Sequence, residues 1–367
     1  MLIVVIIILA IFFLWTAFNS LFMPKLPVNG RLSHVAKVSI LVPLRNEERN
    51  AAPLVKSLRA LTYPELEFVM LDDQSTDLTL SILGKEAGGD DRFRFLSGKE
   101  LTEGWVGKVH ACDQLQKEAH GEYLLFLDAD VRLQPQAVEN SLSLMQSRGA
   151  KLLTGFAAFE VPSFLSKLLV PMQQFVVFFH LPLALANRTM RPSTTAAHGG
   201  FMLFERNAYR EMGGHEEVRS SLVEDVHIAR KMKGSGHRVL LANITGQISC
   251  RMYERNGEVW EGFLKNIYNG IGRSAPMAFG LTLFYFFFYV LPLPWVLYGI
   301  FTGQPLYVVP YILIVLQRMI VDIITHQRWT LAFLMPLSAL AFIAILNASM
   351  WTSWRKKSYQ WKGRHYS

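Results

Sequence analysis

Two carboxylates stand one residue apart in the middle of the sequence, where they could hold a metal ion. Asp128 and Asp130 follow the apolar run at 123–127. Two such side chains at the end of a strand can face one ion, and hard cations such as Mg²⁺ or Mn²⁺ prefer oxygen ligands. The alternative is a strand-to-helix turn with a capping aspartate.

A second acidic group follows the apolar run at 66–71 and includes Asp72, Asp73 and Asp77. Carboxylates at this place can accept hydrogen bonds from a nucleobase N–H or a ribose hydroxyl. Because Ser, Thr and Asp are good helix caps, the alternative is a cap for the next helix. Both are compatible, with Asp77 capping the helix and Asp73 binding a ligand.

A third acidic pair, Glu224 and Asp225, opens a predicted helix over 223–233. A carboxylate at this place could act as a general base that takes a proton from an attacking hydroxyl group. The alternative is a structural role, since the helix dipole favours acidic residues at a helix N-terminus. The local sequence leaves both open.

A sheet is needed to bring these groups together, and the first 150 residues predict one. Strand-like runs alternate with helical stretches, with the strands at 38–42, 66–71, 93–96 and 123–127. Such alternation is typical of an α/β protein with a doubly wound parallel sheet. Ligands bind beyond the carboxyl ends of the strands in these sheets, which is where the first two acidic groups are expected.

Taken in order, the motifs resemble those of inverting family 2 glycosyltransferases, which have the GT-A fold, a doubly wound mixed sheet that binds nucleotide-diphosphate sugars. The resemblance covers about residues 37–272 and rests on Pro43-x-Arg45-Asn46-Glu47-Glu48, Asp72-Asp73-x-Ser75-Thr76-Asp77, Gly107-Lys108, Asp128-x-Asp130, Gly199-Gly200 and Glu224-Asp225. Residues 104–112, 251–253 and 361–367 look more closely like bacterial 4,4′-diaponeurosporenoate (carotenoid) glycosyltransferases. Ceramide glucosyltransferases are similar more distantly.

The resemblance implies a transferase enzyme that passes a hexose from a nucleotide-diphosphate sugar, a UDP-sugar, to a lipid or isoprenoid acceptor with inversion. It implies a divalent metal, Mg²⁺ or Mn²⁺, held by Asp130 with Asp128, and Asp225 as the base with Glu224 beside it. Nucleotide or substrate binding is implied for Pro43, Arg45, Asn46, Glu47, Asp72, Asp73, Lys108, Asp128, Gly199, Gly200, Arg251 and Arg255. The two last arginines occupy the neighbourhood of the family's frequent Gln-x-x-Arg-Trp motif, which is not found in that form in this sequence.

Composition limits the other classes of partner. The chain has 367 residues, of which 51% are hydrophobic, and a formal net charge of +8. No basic stripe or nucleic-acid-binding module accompanies that charge, so nucleic acid is not an expected partner. Part of the basic excess lies in the tail at 353–367, where it favours contact with anionic lipid, a merely solvated end being the alternative. Cys112 and Cys250 lie far apart, which indicates small buried residues in a reducing compartment.

Apolar blocks on both sides of this region predict attachment to a bilayer. Residues 1–22 carry no charge and are long enough to span it, which favours a signal anchor over a cleaved signal peptide. Lys25, Arg31 and Lys37 follow directly. The positive-inside rule therefore places the catalytic domain at 37–272 in the cytoplasm.

The C-terminal membrane region at 276–352 contains three apolar blocks, at 276–301, 305–325 and 331–352. Three spans would put the basic tail outside, against the positive-inside rule, so one block is expected to be re-entrant or interfacial. The middle block is favoured because Arg318 and Asp322 lie one helical turn apart in it, where they could pair. The prediction is a multi-pass cell-membrane protein with a cytoplasmic tail.

Three other functions stay open at this point. A processive polysaccharide synthase would need more spans to form a channel. A polyprenyl-phosphate glycosyltransferase remains possible because most of the motifs concern the donor, the metal and the base rather than the acceptor. A non-enzymatic membrane scaffold gives no reason for carboxylates at three separate strand or helix ends.

Overall fold

The structure is a computed structural model that describes residues 2–355, 359–361 and 364–366. The chain divides into two compact units. The sheet unit comprises Met23–Ala158 and Ala184–Met252, and the helical unit comprises the described residues within Met1–Phe22, Phe159–Leu183 and Tyr253–Ser367.

The four strands predicted in the first 150 residues are present with helices between them, and further strands and helices follow. The strands are β1 (Val38–Leu44), β2 (Leu66–Asp72), β3 (Phe93–Ser97), β4 (Tyr123–Leu127), β5 (Val131–Leu133), β6 (Leu152–Thr154), β7 (Ala158–Phe159), β8 (Phe201–Glu205), β9 (Val239–Leu241), β10 (Ile248–Cys250), β11 (Tyr359–Trp361) and β12 (Arg364–Tyr366). The α-helices are α1 (Leu2–Ser20), α2 (Glu48–Arg59), α3 (Thr79–Ala87), α4 (Gly107–Glu118), α5 (Ala137–Ser147), α6 (Phe164–Leu169), α7 (Met172–His180), α8 (Leu183–Arg188), α9 (Arg206–Glu211), α10 (Glu224–Gly234), α11 (Asn256–Gly270), α12 (Ala275–Tyr285), α13 (Pro292–Thr302), α14 (Val309–Ile324) and α15 (Met335–Trp354).

The main sheet has seven strands in the order β3-β2-β1-β4-β8-β6-β9. The first four pair in parallel, as the alternation of strands and helices predicts. Strand β8 runs antiparallel to both β4 and β6, so the sheet is mixed, as the resemblance implied. Burial on both faces explains the continuous apolar sequence of β1, β2 and β4, since helices cover each side of a doubly wound sheet.

The chain winds outward in both directions from β1, which pairs with β2 on one side and β4 on the other. Leu44 lies opposite Asp72, and Leu41 lies opposite Phe126. The carboxyl ends of these three strands therefore meet at one edge of the sheet, at the switch point where such folds bind ligands.

The amino ends of the same strands are joined by a buried carboxylate, Glu67 on β2. Its Oε1 accepts hydrogen bonds from the Ser39 hydroxyl at 2.5 Å and from the His120 N–H at 2.6 Å. Burial alone would raise the pKa of Glu67, but these hydrogen bonds outweigh it and lower the pKa to about 2. At this end of the sheet, the charged carboxylate of Glu67 therefore has hydrogen-bond partners and serves a structural role.

Among the described residues, four helical segments are long and apolar enough to cross a membrane: Leu2–Ser20, Ala275–Thr302, Pro305–Ile324 and Trp329–Trp354. Their lengths of 19, 28, 20 and 26 residues suit a hydrocarbon core of roughly 30 Å. These helices indicate association with a membrane. The middle C-terminal segment is as long as a span, so its length does not single it out, and its re-entrant or interfacial placement stays a prediction. Of the predicted basic tail, Lys356, Lys357 and Lys362 lie outside the described residues.

The pair expected in this middle segment is present. Arg318 Nε donates to Asp322 Oδ1 at 2.8 Å, and the two side chains are 0% and 1% exposed. The guanidinium also contacts the sulfur atom of Met172 and lies 6.0 Å from the ring of Phe175. A charge in apolar surroundings is costly unless it is paired, so each ion depends on the other.

Removing only the acid should therefore destabilise the helical unit. Asp322→Leu leaves a buried guanidinium without its carboxylate, which costs about 3–5 kcal/mol. We expect a lower unfolding temperature for the purified full chain in detergent. The double variant Arg318→Leu/Asp322→Leu buries no charge and should be more stable than the single variant. A double variant as unstable as Asp322→Leu would contradict this explanation.

Candidate active site

A tight turn after β4 fixes the two aspartates of the Asp-x-Asp motif. The N–H of Asp128 donates to the Gly200 carbonyl at 3.1 Å, and the N–H of Val131 donates back to the Asp128 carbonyl at 3.1 Å. The carbonyl of Asp130 accepts from the N–H of Arg251 at 3.0 Å. Both carboxylates thus lie at the carboxyl end of β4, with Gly200 and Arg251 as backbone neighbours.

Lys108, in the first turn of α4, joins two acidic groups that are far apart in sequence. Its Nζ lies 2.7 Å from Asp128 Oδ1 and 3.2 Å from Glu224 Oε1. Burial lowers the pKa of Lys108, but the carboxylates of Asp128 and Glu224 outweigh it and hold that pKa well above its usual value. The lysine is therefore a permanent cation between two carboxylates.

Asp225 occupies the first turn of α10, next to Glu224. Its Oδ2 accepts from the N–H of Gly199 at 3.0 Å, and its Oδ1 accepts from the N–H of Val226 at 2.8 Å. Burial and the charge of Glu224 raise the pKa of Asp225 to about 7, against the opposing effect of the two N–H groups and Lys108. A carboxyl that titrates near neutrality can exchange a proton under physiological conditions.

Gly199 and Gly200 leave room that a side chain would fill. A Cβ at Gly199 would lie 3.1 Å from Lys108 Nζ and 3.3 Å from Glu224 Oε1. A Cβ at Gly200 would lie 2.8 Å from the ring of His198. A side chain at either position would therefore crowd the charged cluster or the ring of His198.

The loop after β1 and the loop after β2 are tied together. Arg45 Nη1 donates to the Asp73 carbonyl at 2.6 Å and to the Gln74 carbonyl at 3.0 Å. Asn46 accepts from the N–H of Thr76 at 2.8 Å, and its own N–H donates to the Ser75 hydroxyl at 2.9 Å. These contacts make the two loops one rigid surface at the carboxyl edge.

The remaining residues of this surface have mixed local roles. Pro43 lies within β1, which continues one residue beyond it, and the Glu47 N–H donates to the Thr79 hydroxyl at 2.7 Å. The carboxylate of Asp72 accepts from the N–H of Ser75 at 3.3 Å, and the carboxyl group of Asp73 is part of a side chain only 5% exposed. Asp72 thus stabilises its own turn.

Asp77 joins the starts of two helices on this surface. Its Oδ1 accepts from the N–H of Thr79 at 3.0 Å, and its Oδ2 accepts from the N–H of Glu48 at 3.1 Å. The carboxylate therefore satisfies exposed donors at the start of both α3 and α2. Leu78 rather than Asp77 is the N-cap residue of α3, so Asp77 lies one residue before the cap position and still bonds the first N–H of the helix.

The two arginines predicted to bind the diphosphate are placed differently. Arg251 follows β10 in the sheet unit and bonds through its backbone to Asp130. Arg255 belongs to the helical unit, where its Nε lies 3.1 Å from Glu258 Oε1 and its side chain is 80% exposed. Of these two arginines, Arg251 is therefore the one that contacts the acidic edge within the sheet unit, through its backbone hydrogen bond to Asp130.

The carboxylates at this edge suit a hard cation. Within the described ranges, no group of three or more His, Cys, Asp or Glu side chains is arranged to hold a metal ion. Asp128 and Asp130 nevertheless offer the oxygen donors that Mg²⁺ or Mn²⁺ prefers, and such ions commonly complete their shell with phosphate and water. The donor set therefore fits a divalent metal that is shared with a ligand.

Several contacts of this site had no signal in the sequence. Thr154 on β6 holds His198 through its hydroxyl, at 3.2 Å from both the N–H and the carbonyl of that residue. Burial lowers the pKa of His198 to about 4, so its imidazole stays neutral and does not titrate near neutrality as an unperturbed histidine would.

Both cysteines, Cys112 and Cys250, are free and buried, as expected. Cys250 lies beside Asp130, and burial followed by that charge raises the pKa of its thiol.

A mixed sheet with an acidic edge at its switch point defines a GT-A-like glycosyltransferase fold. The mannosyltransferase PcManGT from Pyrobaculum calidifontis, solved in complex with GDP-Man and Mn²⁺, superposes with a TM-score of 0.55 at 16% identity. The superposition covers 97% of this chain and 100% of that one. At this identity the likeness shows the fold, and it confirms the fold predicted from the sequence.

Residues 39–213 match the family model described as Glycosyl transferase family 2. The 4,4′-diaponeurosporenoate glycosyltransferase of Staphylococcus haemolyticus (strain JCSC1435) is 24% identical over 246 residues. The enzyme of that name from Staphylococcus aureus (strain USA300) is 25% identical over 247 residues. Each match covers 65% of this chain but only 63% of the relative's length. The predicted resemblance is confirmed, and these findings support a transferase enzyme.

The charge balance of the cluster predicts the effect of removing its lysine. In Lys108→Met, Asp128 and Glu224 lose their shared cation, and the pKa of Asp225 should rise further because one opposing charge is gone. A raised carboxyl pKa costs stability as pH rises through it, so the loss should be larger at pH 8 than at pH 5. Because the lysine is a third exposed, we expect about 1 kcal/mol, or roughly 2–4 °C in unfolding temperature.

Differential scanning fluorimetry of the full chain at both pH values measures this difference. Lys117→Met is the matched control, since Lys117 lies on the same helix, pairs with Asp113 and is 63% exposed. An equal loss at pH 5 and pH 8 would show that Lys108 acts through packing rather than charge.

Proposed function

We propose that this protein is a membrane-bound glycosyltransferase that transfers a hexose from a nucleotide-diphosphate sugar, a UDP-sugar, to a lipid or isoprenoid acceptor with inversion. One observation supports this above all: Lys108, Asp128, Glu224 and Asp225 converge on Gly199 at the switch point of a GT-A-like sheet. This is the place where such a fold binds its ligand. A carboxyl that titrates near neutrality lies beside a donor set suited to a metal diphosphate.

The nucleoside of the donor would lie on the surface made by the two tied loops. Pro43, Arg45, Asn46 and Glu47 form one side of it, and Asp73 forms the other. The hydrogen bonds of Arg45 and Asn46 to the second loop support this role, because they fix the surface before the donor arrives. Asp72 would act through the turn that it stabilises.

The diphosphate would lie over Asp128 and Asp130. These residues would hold Mg²⁺ or Mn²⁺ there, and the bound cation would stabilise the negative charge of the departing diphosphate. Lys108 would contact the nucleotide from the same edge, in exchange for part of its present pairing with Asp128. Arg251 would bind the leaving group, with Arg255 as a second candidate.

Asp225 would take the proton of the acceptor as the acceptor oxygen attacks the anomeric carbon. One displacement breaks the bond between that carbon and the diphosphate, so the anomeric configuration is inverted. Glu224 keeps Lys108 in place beside the base. The absence of side chains at Gly199 and Gly200 would let the acceptor approach the base along the backbone.

A lipid-like acceptor is supported by two findings. The relatives are named for transfer to 4,4′-diaponeurosporenoate, an isoprenoid acid. The part of the chain that the structure describes also has four helices that could cross a membrane. We propose a multi-pass cell-membrane protein with an anchor at 1–22, a cytoplasmic catalytic domain at 37–272, a membrane region at 276–352 and a cytoplasmic tail at 353–367.

A direct test combines donors and acceptors of different chemistry. The full chain in nanodiscs, with MnCl₂, is given UDP-glucose or GDP-mannose and either 4,4′-diaponeurosporenoate or geranylgeraniol. Mass spectrometry detects the glycosylated lipid, and NMR gives its anomeric configuration, which should be inverted. A retained configuration would exclude the single displacement. A growing polysaccharide would favour the synthase, and a folded protein without any transfer would favour the scaffold.

Substitution of the base should abolish most of the transfer to an alcohol. Loss of general-base catalysis costs about 10²–10⁴ in rate, so Asp225→Asn should lower kcat by that factor with geranylgeraniol as acceptor. Because Asp225 is protonated below its pKa of about 7, wild-type kcat/KM should rise with pH through a midpoint near 7. Asp225→Asn should lack this rise.

The acceptor and a control variant decide the interpretation of that experiment. A carboxylate acceptor has no proton to lose at neutral pH, so transfer to 4,4′-diaponeurosporenoate should suffer less in Asp225→Asn. Glu217→Gln is the matched control, because Glu217 is 45% exposed and pairs with Lys231 on the surface. Full activity of Asp225→Asn with the alcohol would exclude Asp225 as the base.

Substitution of a metal-binding residue should change the need for metal. Asp130→Ala removes one of two carboxylates from the proposed ion, so transfer should fall about 100-fold or more at limiting Mn²⁺ and recover in part at higher concentration. A titration with MnCl₂ measures the shift, and Asp91→Ala, at an exposed position, is the control. An unchanged metal requirement would place the ion elsewhere.

A further inference from the structure

Helix α10 and the segment at 186–199 are linked at both ends of the helix. At the first turn, Asp225 Oδ2 accepts from the N–H of Gly199 at 3.0 Å. At the last turn, Lys233 Nζ donates to the Ala186 carbonyl at 2.7 Å and to the Thr194 carbonyl at 2.8 Å. The proposed base and a buried lysine therefore hold the two ends of the same segment.

Lys233 is an unusual residue for its position. Its side chain is only 3% exposed, and it shares the inner side of α10 with Ile228, Ala229 and Met232, which are fully buried. Among the described residues no carboxylate pairs with it, and its two acceptors are main-chain carbonyls. Burial lowers the pKa of Lys233 to about 8, because a buried ammonium group loses its hydration. An apolar side chain at this position would pack without that loss.

The two carbonyls show what this cation does. Ala186 lies in α8, and Thr194 lies near the end of the loop that follows this helix, whose residues include the exposed Met190 and Arg191. One ammonium group therefore joins both α8 and this loop to α10. Asn187 fixes α8 to the sheet, because its side chain exchanges two hydrogen bonds with the backbone of Leu241 at the edge strand β9.

The loop after α8 is held to the sheet again just before it reaches the site. Thr194 precedes Gly199 by five residues, and between them Thr154 holds the backbone of His198. Lys233 thus supplies a second link, besides that of Asp225, between this loop and the helix that carries the base. If that link is lost, the distance between Gly199 and Asp225 is no longer set from both ends of α10.

We propose that Lys233 is a positioning residue for the transfer reaction, which holds the 186–199 segment against α10 so that Gly199 keeps its hydrogen bond to Asp225. The inference rests on the proposed function, in which Asp225 is the base. Lys233 does not contact the reacting atoms in this proposal. It acts by keeping the 186–199 segment, on the acceptor side of the site, in position relative to Asp225.

The hydrogen bond from Gly199 has a chemical consequence that makes the proposal testable. It favours the charged form of Asp225, as do the N–H of Val226 and the cation of Lys108, whereas burial and Glu224 oppose that form. A looser segment should therefore raise the pKa of Asp225 above its value of about 7. A change in packing that left the Gly199 contact intact would not shift this pKa.

Hydrogen–deuterium exchange of the full chain tests the structural part without requiring activity. Lys233→Met preserves the length and apolar stem of the side chain but cannot donate. Peptides covering 186–200 should exchange at least about tenfold faster than in wild type, while peptides from β1 and β2 stay unchanged. Lys231→Met is the matched control on the same helix, since Lys231 is 52% exposed. Unchanged exchange at 186–200 would overturn the proposal.

Kinetics with UDP-glucose and geranylgeraniol in nanodiscs test the functional part. In Lys233→Met, kcat should fall roughly tenfold, as expected for lost hydrogen bonds to a charged group, while the KM for UDP-glucose stays within about twofold. The midpoint of the rise in kcat/KM with pH should move above 7. Faster exchange with unchanged kcat and midpoint would overturn the positioning role. Absence of transfer in wild type would instead count against the proposed function and leave the exchange result valid.

Discussion

The site depends on one electrostatic constraint, which is that carboxylates from distant parts of the chain lie together at one edge of a sheet. Carboxylates that lie close together repel one another, and the repulsion grows as water is excluded from between them. Lys108 compensates for it between Asp128 and Glu224, with Nζ–oxygen distances of 2.7 and 3.2 Å. The same negative edge that needs a lysine in the free protein would attract a divalent cation and orient a diphosphate when a donor binds. Under the proposed function, the same arrangement would be stable without ligand and would bind a metal diphosphate.

The two ends of the central strands show how strongly the surroundings decide the chemistry of a carboxylate. Glu67 at the amino end accepts hydrogen bonds from Ser39 and His120, and its pKa is about 2. Asp225 at the carboxyl end also accepts two N–H groups, yet burial and Glu224 raise its pKa to about 7. The first carboxylate is locked in its charged form and serves the fold. The second is able to gain and lose a proton, which suits catalysis.

Sequence patterns predicted the sheet and the acidic edge because both are local. Apolar strands followed by aspartates, and the order of motifs from Pro43 to Asp225, are visible in the sequence and place each group at a strand or helix end. The contacts between groups are not local. The pairing of Lys108 with Glu224 joins residues more than a hundred positions apart, and nothing near Lys233 indicates that it is buried. The antiparallel direction of β8 was not predicted either, because alternation of strands and helices reports order rather than orientation.

Polar groups in the helical unit follow a related rule. A polar group that lies in hydrocarbon must find its partner within the protein. Gln317 donates to the Thr16 hydroxyl at 2.9 Å and accepts from Tyr289 at 3.0 Å, which joins three apolar segments through their polar side chains. The Arg318–Asp322 pair lies one residue further along the same helix. Since such interactions fix which faces of the helices meet, the apolar segments have a defined packing rather than an interchangeable one.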